Sequence, residues 1–224
     1  MPDQQATRVL AIRHGETDWN VAGRVQGQLD VPLNDNGRWQ VHRLALAVAE
    51  EDISAIYSSD LLRALETAQA VERGCGDPIT TDIGLRERGF GIFEGLSYDE
   101  IGWRWPEQSE RWRKRDPDFG PEGGETLRQF YERSIAAVTR AAAMHPGQTI
   151  AVVSHGGVMD CLHRAALSLA LDAPRTWQLG NASINRVLYT PQGFTLIGWS
   201  DDYHLDQSGL DEYTGTDTPA ERAA

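Results

Sequence analysis

Thr149-Ile150-Ala151-Val152-Val153-Ser154-His155-Gly156-Gly157 is the stretch on which the fold turns. Ile150 to Val153 is apolar without alternation. A strand with one wet face would alternate, so this run reads as a strand covered on both sides. It breaks at a histidine and two glycines, and the residues up to about Leu169 read as a helix. A second run repeats the design: Val9-Leu10-Ala11-Ile12 stops at Arg13-His14-Gly15. Two doubly covered strands, each ending in histidine then glycine, argue for a parallel sheet between helix layers.

The intervening chain supplies those layers. Asn34 is an N-cap candidate, followed by Val41, Leu44, Ala45 and Val48 at helical spacing. Ile53 to Tyr57 reads as another strand, running into Ser58-Ser59-Asp60, with Asp60 the expected cap of a helix through about Glu72. Residues 74–95 read as glycine-rich and irregular. Residues 97–124 hold Trp103, Trp105, Trp112 and a basic cluster, and read as a helical insertion. A long amphipathic helix is expected from Thr126 to about His145-Pro146-Gly147, and late strands over Arg186–Thr190 and Phe194–Trp199. The expected fold is α/β: three layers, α/β/α, with a mostly parallel central sheet and a helical lid insertion. A single domain over residues 1–206 is expected, with the lid at about 96–125 and an acidic, flexible tail over 207–224.

The charge balance narrows the partners. The chain carries 33 acidic and 21 basic residues, a formal net charge of −12. A nucleic-acid binder needs a basic surface, and so does a protein drawn to an anionic membrane. Neither partner is expected. Residues 201–224 hold seven of the acids and one base, so half of the net charge sits there. Lys114 is the only lysine; the remaining bases are arginines, whose planar fork suits phosphate and carboxylate. Cys75 and Cys161 lie far apart with no metal-binding spacing, and read as reduced thiols. The polar stretch Met1 to Arg8 lacks the apolar segment of a signal peptide, and no apolar run approaches the roughly 20 residues of a membrane span. A cytoplasmic protein is expected.

The strand ends carry the chemistry. Ligands of open α/β sheets bind beyond the carboxyl ends of the strands, where His14 and His155 converge if their strands are neighbours. Glycine after each histidine permits a tight turn and a close approach of backbone N–H groups to an anion. The helix after Gly157 points its positive end at the same place. Arg13 adjoins His14, and Arg63 lies in the first turn of the helix after the second strand. Such a pocket fits a phosphoryl group with no metal or other cofactor. Neighbouring positive charge keeps His14 neutral, and a neutral imidazole nitrogen is a nucleophile toward phosphorus. Arg13, Arg63 and His155 would hold the transferring oxygens. Glu87 is the candidate acid for the leaving oxygen, because phosphate beside it favours its protonated form.

These residues fall in ordered motifs. Arg13-His14-Gly15-Glu16-Thr17 with Asn20, Ser58-Ser59-Asp60-Leu61-x-Arg63-Ala64-x-x-Thr67-Ala68, Leu85-Arg86-Glu87 with Gly91-x-x-Glu94-Gly95, and Ser154-His155-Gly156-Gly157 follow one another along the chain. In this order they resemble the four motifs of the histidine phosphatase superfamily, the phosphoglycerate mutase-like family, over roughly residues 8–200. The resemblance implies that His14 becomes the phosphohistidine, with Arg13, Arg63 and His155 on the phosphoryl group. It implies that Asn20 and the backbone at Gly156 add hydrogen bonds, and that Glu87 protonates the leaving group and then activates water. Thr17 belongs to the first motif, and Gln26-Gly27 matches a substrate-proximal stretch of related proteins.

Within the family the destination of the phosphoryl group is open. The short interval from Glu87 to His155 contains Pro121-Glu122-Gly123-Gly124-Glu125-Thr126, which resembles the phosphatase branch. Hydrolysis of small phosphate monoesters is the favoured reading, with a small phosphorylated metabolite as the partner. A 2,3-bisphosphoglycerate-dependent mutase is the alternative, and a non-catalytic sensor of phosphorylated ligands the distant one. Arg111, Arg113, Lys114 and Arg115, with Arg104, read as solvated lid faces or as a reader of an acidic substrate group. Trp103 and Trp105 are expected to pack the lid onto the sheet. His42, His145 and His163 read as surface or satisfied core positions, and His204 as a possible neighbour of the pocket. Glu16 reads as support for Arg13 or for backbone N–H groups. Asn181 and Ser183 either reach the site or make a turn, and a homodimer through a late edge strand stays open.

Overall fold

The computed structural model describes residues 5–76 and 78–206. Among them, six strands form one sheet in the order β3-β2-β4-β1-β5-β6. The strands are β1 (Thr7–Arg13), β2 (Ile53–Ser58), β3 (Ile79–Thr81), β4 (Thr149–Ser154), β5 (Ile184–Thr190) and β6 (Gly193–Asp201). β3, β2, β4 and β1 run parallel; β5 pairs antiparallel with β1, and β6 antiparallel with β5. The sheet is therefore mixed and mostly parallel, as the apolar runs predict.

Alternation through β1 and β4 shows why those runs are continuous. Val9, Ala11, Ile150 and Val152 face a core built with α6 (Leu127–Ala143) and α7 (Gly156–Leu167). Leu10, Ile12, Ala151 and Val153 face the opposite core, built with α2 (Asp35–Val48) and α3 (Leu62–Cys75). Both faces of the central strands are thus dry, which removes any reason for polar alternation. The two cores are the interfaces of the three layers.

The helix ends follow their expected chemistry with one exception. Asn34 caps α2 by accepting from Gly37 N–H, and Thr126 caps α6 in a reciprocal box with Gln129. Asp60 does not cap α3. Leu61 holds the N-cap position without a side-chain bond, and the Asp60 carboxylate instead pairs with Arg86. That ion pair ties the end of β2 to the segment carrying Glu87. The strand β3 is absent from the sequence reading, because three residues at a sheet edge bury too little to leave an apolar signature.

The insertion is helical. A four-residue helix, α1 (Asp18–Val21), precedes it in the chain, and α4 (Tyr98–Arg104) and α5 (Pro106–Arg113) form its body. Val25, Phe93, Ile101 and Phe119 make its small core, with Trp105 and Trp112 packed against them. Trp105 is packed, but within the insertion's own core against Phe93 and not onto the sheet. Trp103 is not packed: it is 84% exposed, on the outer side of α4. The expected tail over 207–224 lies outside the described residues.

Candidate active site

The register of the central strands assembles the site. Arg13 of β1 lies opposite Ser154 of β4, so the residues that follow, His14 and His155, leave the sheet side by side. Their ring centroids are 5.3 Å apart, and His14 N–H donates to Ser154 O at 2.9 Å. His14 is 3% exposed and His155 fully buried.

The His14 ring is fixed by one bond. Its Nδ1 lies 2.6 Å from the Gly15 carbonyl, which can only accept, so Nδ1 carries the proton. Nε2 then bears the lone pair, and it makes no hydrogen bond among the described residues. Burial holds the imidazolium well below its usual range, and the guanidiniums of Arg63 and Arg13 add to the effect. His155 is depressed in the same way, by burial first and then by Arg63, His14 and Arg13. Its Nε2 lies 2.8 Å from Ser59 Oγ, while Nδ1 is buried without a partner.

The two arginines are held by backbone carbonyls and kept partly unsatisfied. Arg63 donates to Leu29 O at 2.9 Å and Gly27 O at 2.8 Å, and Arg13 donates to Leu179 O. The Nε of each is buried with no partner. An unpaired buried donor is costly, and a bound anion removes that cost. Burial lowers Arg63 to about 10, which still leaves it charged at neutral pH. The guanidinium of Arg13 lies against Gly156, where a Cβ would touch it.

Glu87 reaches the site from the turn after β3. Its Oε1 accepts from Arg88 N–H at 2.7 Å and its Oε2 from Gly157 N–H at 3.0 Å. Gly157 has no room for a side chain, since a Cβ would overlap Glu87 Oε1. The role of the glycines after the two histidines is therefore close approach rather than a left-handed turn, as neither Gly15 nor Gly156 has a positive φ, and nor has Gly157. Nor are all their N–H groups open to an anion. Gly15 N–H is engaged by Thr67 Oγ1, and Gly157 N–H by Glu87.

A clasp holds the Glu87 turn. Arg133 of α6 donates to Gly84 O at 2.9 Å, Arg86 O at 3.0 Å and Glu87 O at 3.3 Å, and pairs with Glu125 at 2.7 Å. Glu125 Oε2 also accepts from Gly89 N–H, and Arg88 donates to the Glu125 carbonyl. Ser154 Oγ donates to Leu85 O at 2.6 Å, joining this turn to the end of β4. The Pro121–Thr126 segment thus acts as the buckle of the acid's loop.

These groups surround a cavity of about 930 Å³. Arg13, His14, Asn20, Gln26, Gly27, Arg63, Glu87 and Gly156 line it, so the structure brings together most of the expected residues. Two stand back. His155 lies behind His14 and is not part of the lining. Thr17 is fully buried and caps α1, where it and Asn20 exchange hydrogen bonds. Its place is support for Asn20.

The remaining candidates take definite places, some of them outside their sequence reading. Glu16 supports the chain through Asn34 and Asn36, not through Arg13. Asn181 does reach the site: its Nδ2 donates to His14 O and Gly15 O and lies near Asn20 Oδ1. Ser183 makes a turn, donating to Gly180 O. His204 is buried against Ala182 O, away from the cavity lining. His163 is a core residue stacked on Trp177. The basic cluster divides. Lys114 pairs with Glu110 and Arg111 with Asp116 on exposed faces, whereas Arg113 and Arg115 line the cavity. Nothing in the sequence marks Arg133 or Arg88, because a lone arginine on a helix or turn carries no spacing signal.

Among the described residues, no three His, Cys, Asp or Glu side chains come together as a metal site, and no helix is long and apolar enough to cross a membrane.

Paired histidines at adjacent parallel strand ends, inside an arginine cradle, define a phosphoryl-handling α/β protein. The chain belongs to the histidine phosphatase superfamily, whose branch 1 matches residues 9–202. It is 39% identical over 212 residues to phosphoglycerate mutase-like protein 4 of Arabidopsis thaliana, covering 93% of this chain and 91% of that one. Two solved structures are also similar. A mycobacterial glucosyl-3-phosphoglycerate phosphatase superposes with a TM-score of 0.77 at 30% identity, covering 87% of this chain and 99% of its own. A phosphoserine phosphatase mutant from Entamoeba histolytica, solved with phosphoserine, gives 0.81 at 26% identity, covering 89% and 100%.

Proposed function

We propose that this chain is a phosphatase that hydrolyses small phosphate monoesters through a phosphohistidine, within one catalytic domain over about residues 1–206. The observation that carries this reading is the His14 imidazole. It is buried and neutral, its Nδ1–H is committed to Gly15 O, and its Nε2 is unpaired beside two guanidiniums.

In the first step Nε2 attacks phosphorus and the ester P–O bond breaks. The oxygens of the transferring group rest on Arg13, Arg63 and the Asn20 amide, with His155 packed against the His14 ring. Glu87, entering as the carboxylic acid, gives its proton to the leaving alcohol. In the second step the Glu87 carboxylate takes a proton from water as that water attacks the phosphohistidine. Phosphate leaves and Nε2 regains its lone pair. No cofactor enters this scheme.

Solvent access favours hydrolysis over return of the phosphoryl group, since a mutase must exclude water. Arg113, Arg175 and Tyr98 at the rim are exposed, so the mouth admits water. The structural relatives named as phosphatases support the same outcome. The mutase reading rests on the names of relatives at 36–39% identity, phosphoglycerate mutase-like protein 4 of Arabidopsis thaliana and probable phosphoglycerate mutases of Cronobacter sakazakii and Yersinia pestis. A sensor that binds without turnover gives no reason for Glu87 to be clasped beside the histidine.

One experiment separates the three. The purified protein is given 3-phosphoglycerate, with and without 2,3-bisphosphoglycerate, beside a panel of phosphate monoesters. Phosphate release from panel members, with an acid-labile phosphoenzyme on His14, is expected. Isomerisation to 2-phosphoglycerate far faster than phosphate release identifies the mutase; binding without release identifies the sensor.

A further inference from the structure

The turn that leads into β5 grips the nucleophile's own segment. β5 pairs antiparallel with β1, with Ile184 opposite Ile12, so the residues before Ile184 meet those after Ile12. Arg13 N–H donates to Ser183 O at 3.3 Å, and its guanidinium to Leu179 O. The His14 carbonyl accepts twice, from Ala182 N–H at 3.1 Å and from Asn181 Nδ2 at 3.0 Å. Asn181 Nδ2 also lies 3.3 Å from Gly15 O, the acceptor that fixes the His14 ring, and 3.3 Å from Asn20 Oδ1. Ala182 is fully buried, and its φ of 54° falls in the left-handed region that favours glycine. A residue with a side chain is costly there, and such strain persists only where the surrounding contacts impose it. Here the strained turn brings two donors, the Ala182 N–H and the Asn181 amide, to one carbonyl.

Resting on the phosphatase reading above, we propose that Asn181 is a positioning residue, whose single amide group sets both the frame of the His14 nucleophile and the direction of the Asn20 amide. Polarity decides how the groups must point. The His14 and Gly15 carbonyls only accept, so the end of the Asn181 amide that meets them is its nitrogen. The Asn20 oxygen then meets three donors: the Asn181 amide, Thr17 N–H at 3.1 Å and the Thr17 hydroxyl at 3.0 Å. With its oxygen engaged, Asn20 leaves its NH2 group for the cavity it lines, and that nitrogen makes no hydrogen bond among the described residues. Asn181 itself is not part of the cavity lining, so it acts through its neighbours and not on the substrate. Its loss frees the Gly15 peptide to rotate away from His14 Nδ1 and leaves the Asn20 amide held by Thr17 alone. The effect falls on the placement of the attacking nitrogen, and therefore on kcat.

The test compares Asn181→Ala with Ser183→Ala, whose lost hydroxyl only closes the same turn on Gly180 O at 2.8 Å. Both are read by turnover of p-nitrophenyl phosphate and by two-bond proton–nitrogen correlation spectra of protein labelled in its histidines. In the wild-type protein His14 is expected as the Nδ1–H form. In Asn181→Ala its two ring nitrogens are expected to move toward one averaged shift, with kcat about ten- to thirtyfold lower and KM within about threefold, the worth of one or two hydrogen bonds. Ser183→Ala is expected to keep kcat within about twofold and the wild-type spectrum. A wild-type spectrum and unchanged kcat in Asn181→Ala overturn this inference. Equal losses in both variants mark the turn as merely structural and also overturn it. Should Asn181→Ala not fold, Asn181→Asp, of the same size, decides: a carboxylate only accepts and would meet three acceptors, so wild-type turnover and spectrum in that variant overturn the inference. Failure of the wild-type protein to hydrolyse the ester, with no phosphoenzyme on His14, removes the phosphatase reading, while the spectra still decide the role of Asn181.

Discussion

The cavity floor and the cavity wall are built by different means. On the floor, β1 and β4 hydrogen-bond in parallel register, and His14 and His155 are simply the next residues of each strand. Their relative position follows from the ladder, and their environment from burial between two dry cores. The wall is assembled from pieces with no shared ladder. Arg113 ends a lid helix and Arg115 lies two residues past it, Asp160 sits on α7, and Trp177 comes from the loop before β5. Ion pairs and single carbonyl contacts, such as Arg115 with Asp160 and Leu171 O, hold these pieces together. A ladder fixes geometry for a reaction common to many substrates. Loop-borne contacts can change without disturbing it, which makes the wall the place where substrates are distinguished.

The comparison breaks most visibly at the floor. His14→Ala removes the proposed nucleophile and is expected to lower phosphate release by about 10⁴-fold or more. Retained hydrolysis with no phosphoenzyme would overturn the assignment.

Gly157→Ala tests whether floor geometry depends on close approach. The added Cβ overlaps Glu87 Oε1, so the acid must move. A loss of about 10²-fold in kcat is expected, since a displacement near 1 Å is enough for that. An unchanged thermal midpoint would show that the loss comes from placement and not from unfolding.

Acid tests the burial of the floor. His14 and His155 are neutral in the fold, with proton affinities held well below the usual 6.5, whereas in the unfolded chain they protonate near that value. The unfolded state therefore binds more protons as pH falls below about 6.5, and stability falls with it, by up to about 1.4 kcal/mol per pH unit for each histidine. Carboxylates such as Asp60, held low chiefly by its bond to Arg86, lose their contribution only at lower pH. Thermal melts between pH 7 and 5 are expected to show this slope in the wild-type protein and a shallower one in His14→Ala.

The smallest effects belong to the lid. Arg113→Ala is expected to raise KM about three- to tenfold, because a rim charge acts on binding. Lys114→Ala, one residue further, is expected to change neither kinetics nor melting, since its pair with Glu110 is exposed. Equal effects from the two would remove the distinction between cavity-facing and solvent-facing lid bases.

Much of the floor was legible in the sequence. Ile150 to Val153 and Val9 to Ile12 announce doubly covered strands, and the histidines after them fall where ligands bind. Asp60 was misread because a cap and an ion-pair partner are the same residue type; only the proximity of Arg86 distinguishes them. Trp103 was misread because size and hydrophobicity do not tell which side of a short helix faces inward. Arg133 was not legible at all, since its function lies in four acceptors drawn from two separate segments, the turn over 84–87 and Glu125.

The sequence by itself determined the central strands, their dry faces and the residues at their ends, because the apolar pattern of a strand is a local property of the chain. Tertiary structure alone decided which proton His14 carries, why Gly157 cannot bear a side chain, and that the Asn181 amide meets both His14 and Asn20. Those facts depend on distances between segments far apart in the chain, and no spacing along a sequence encodes a distance across a fold.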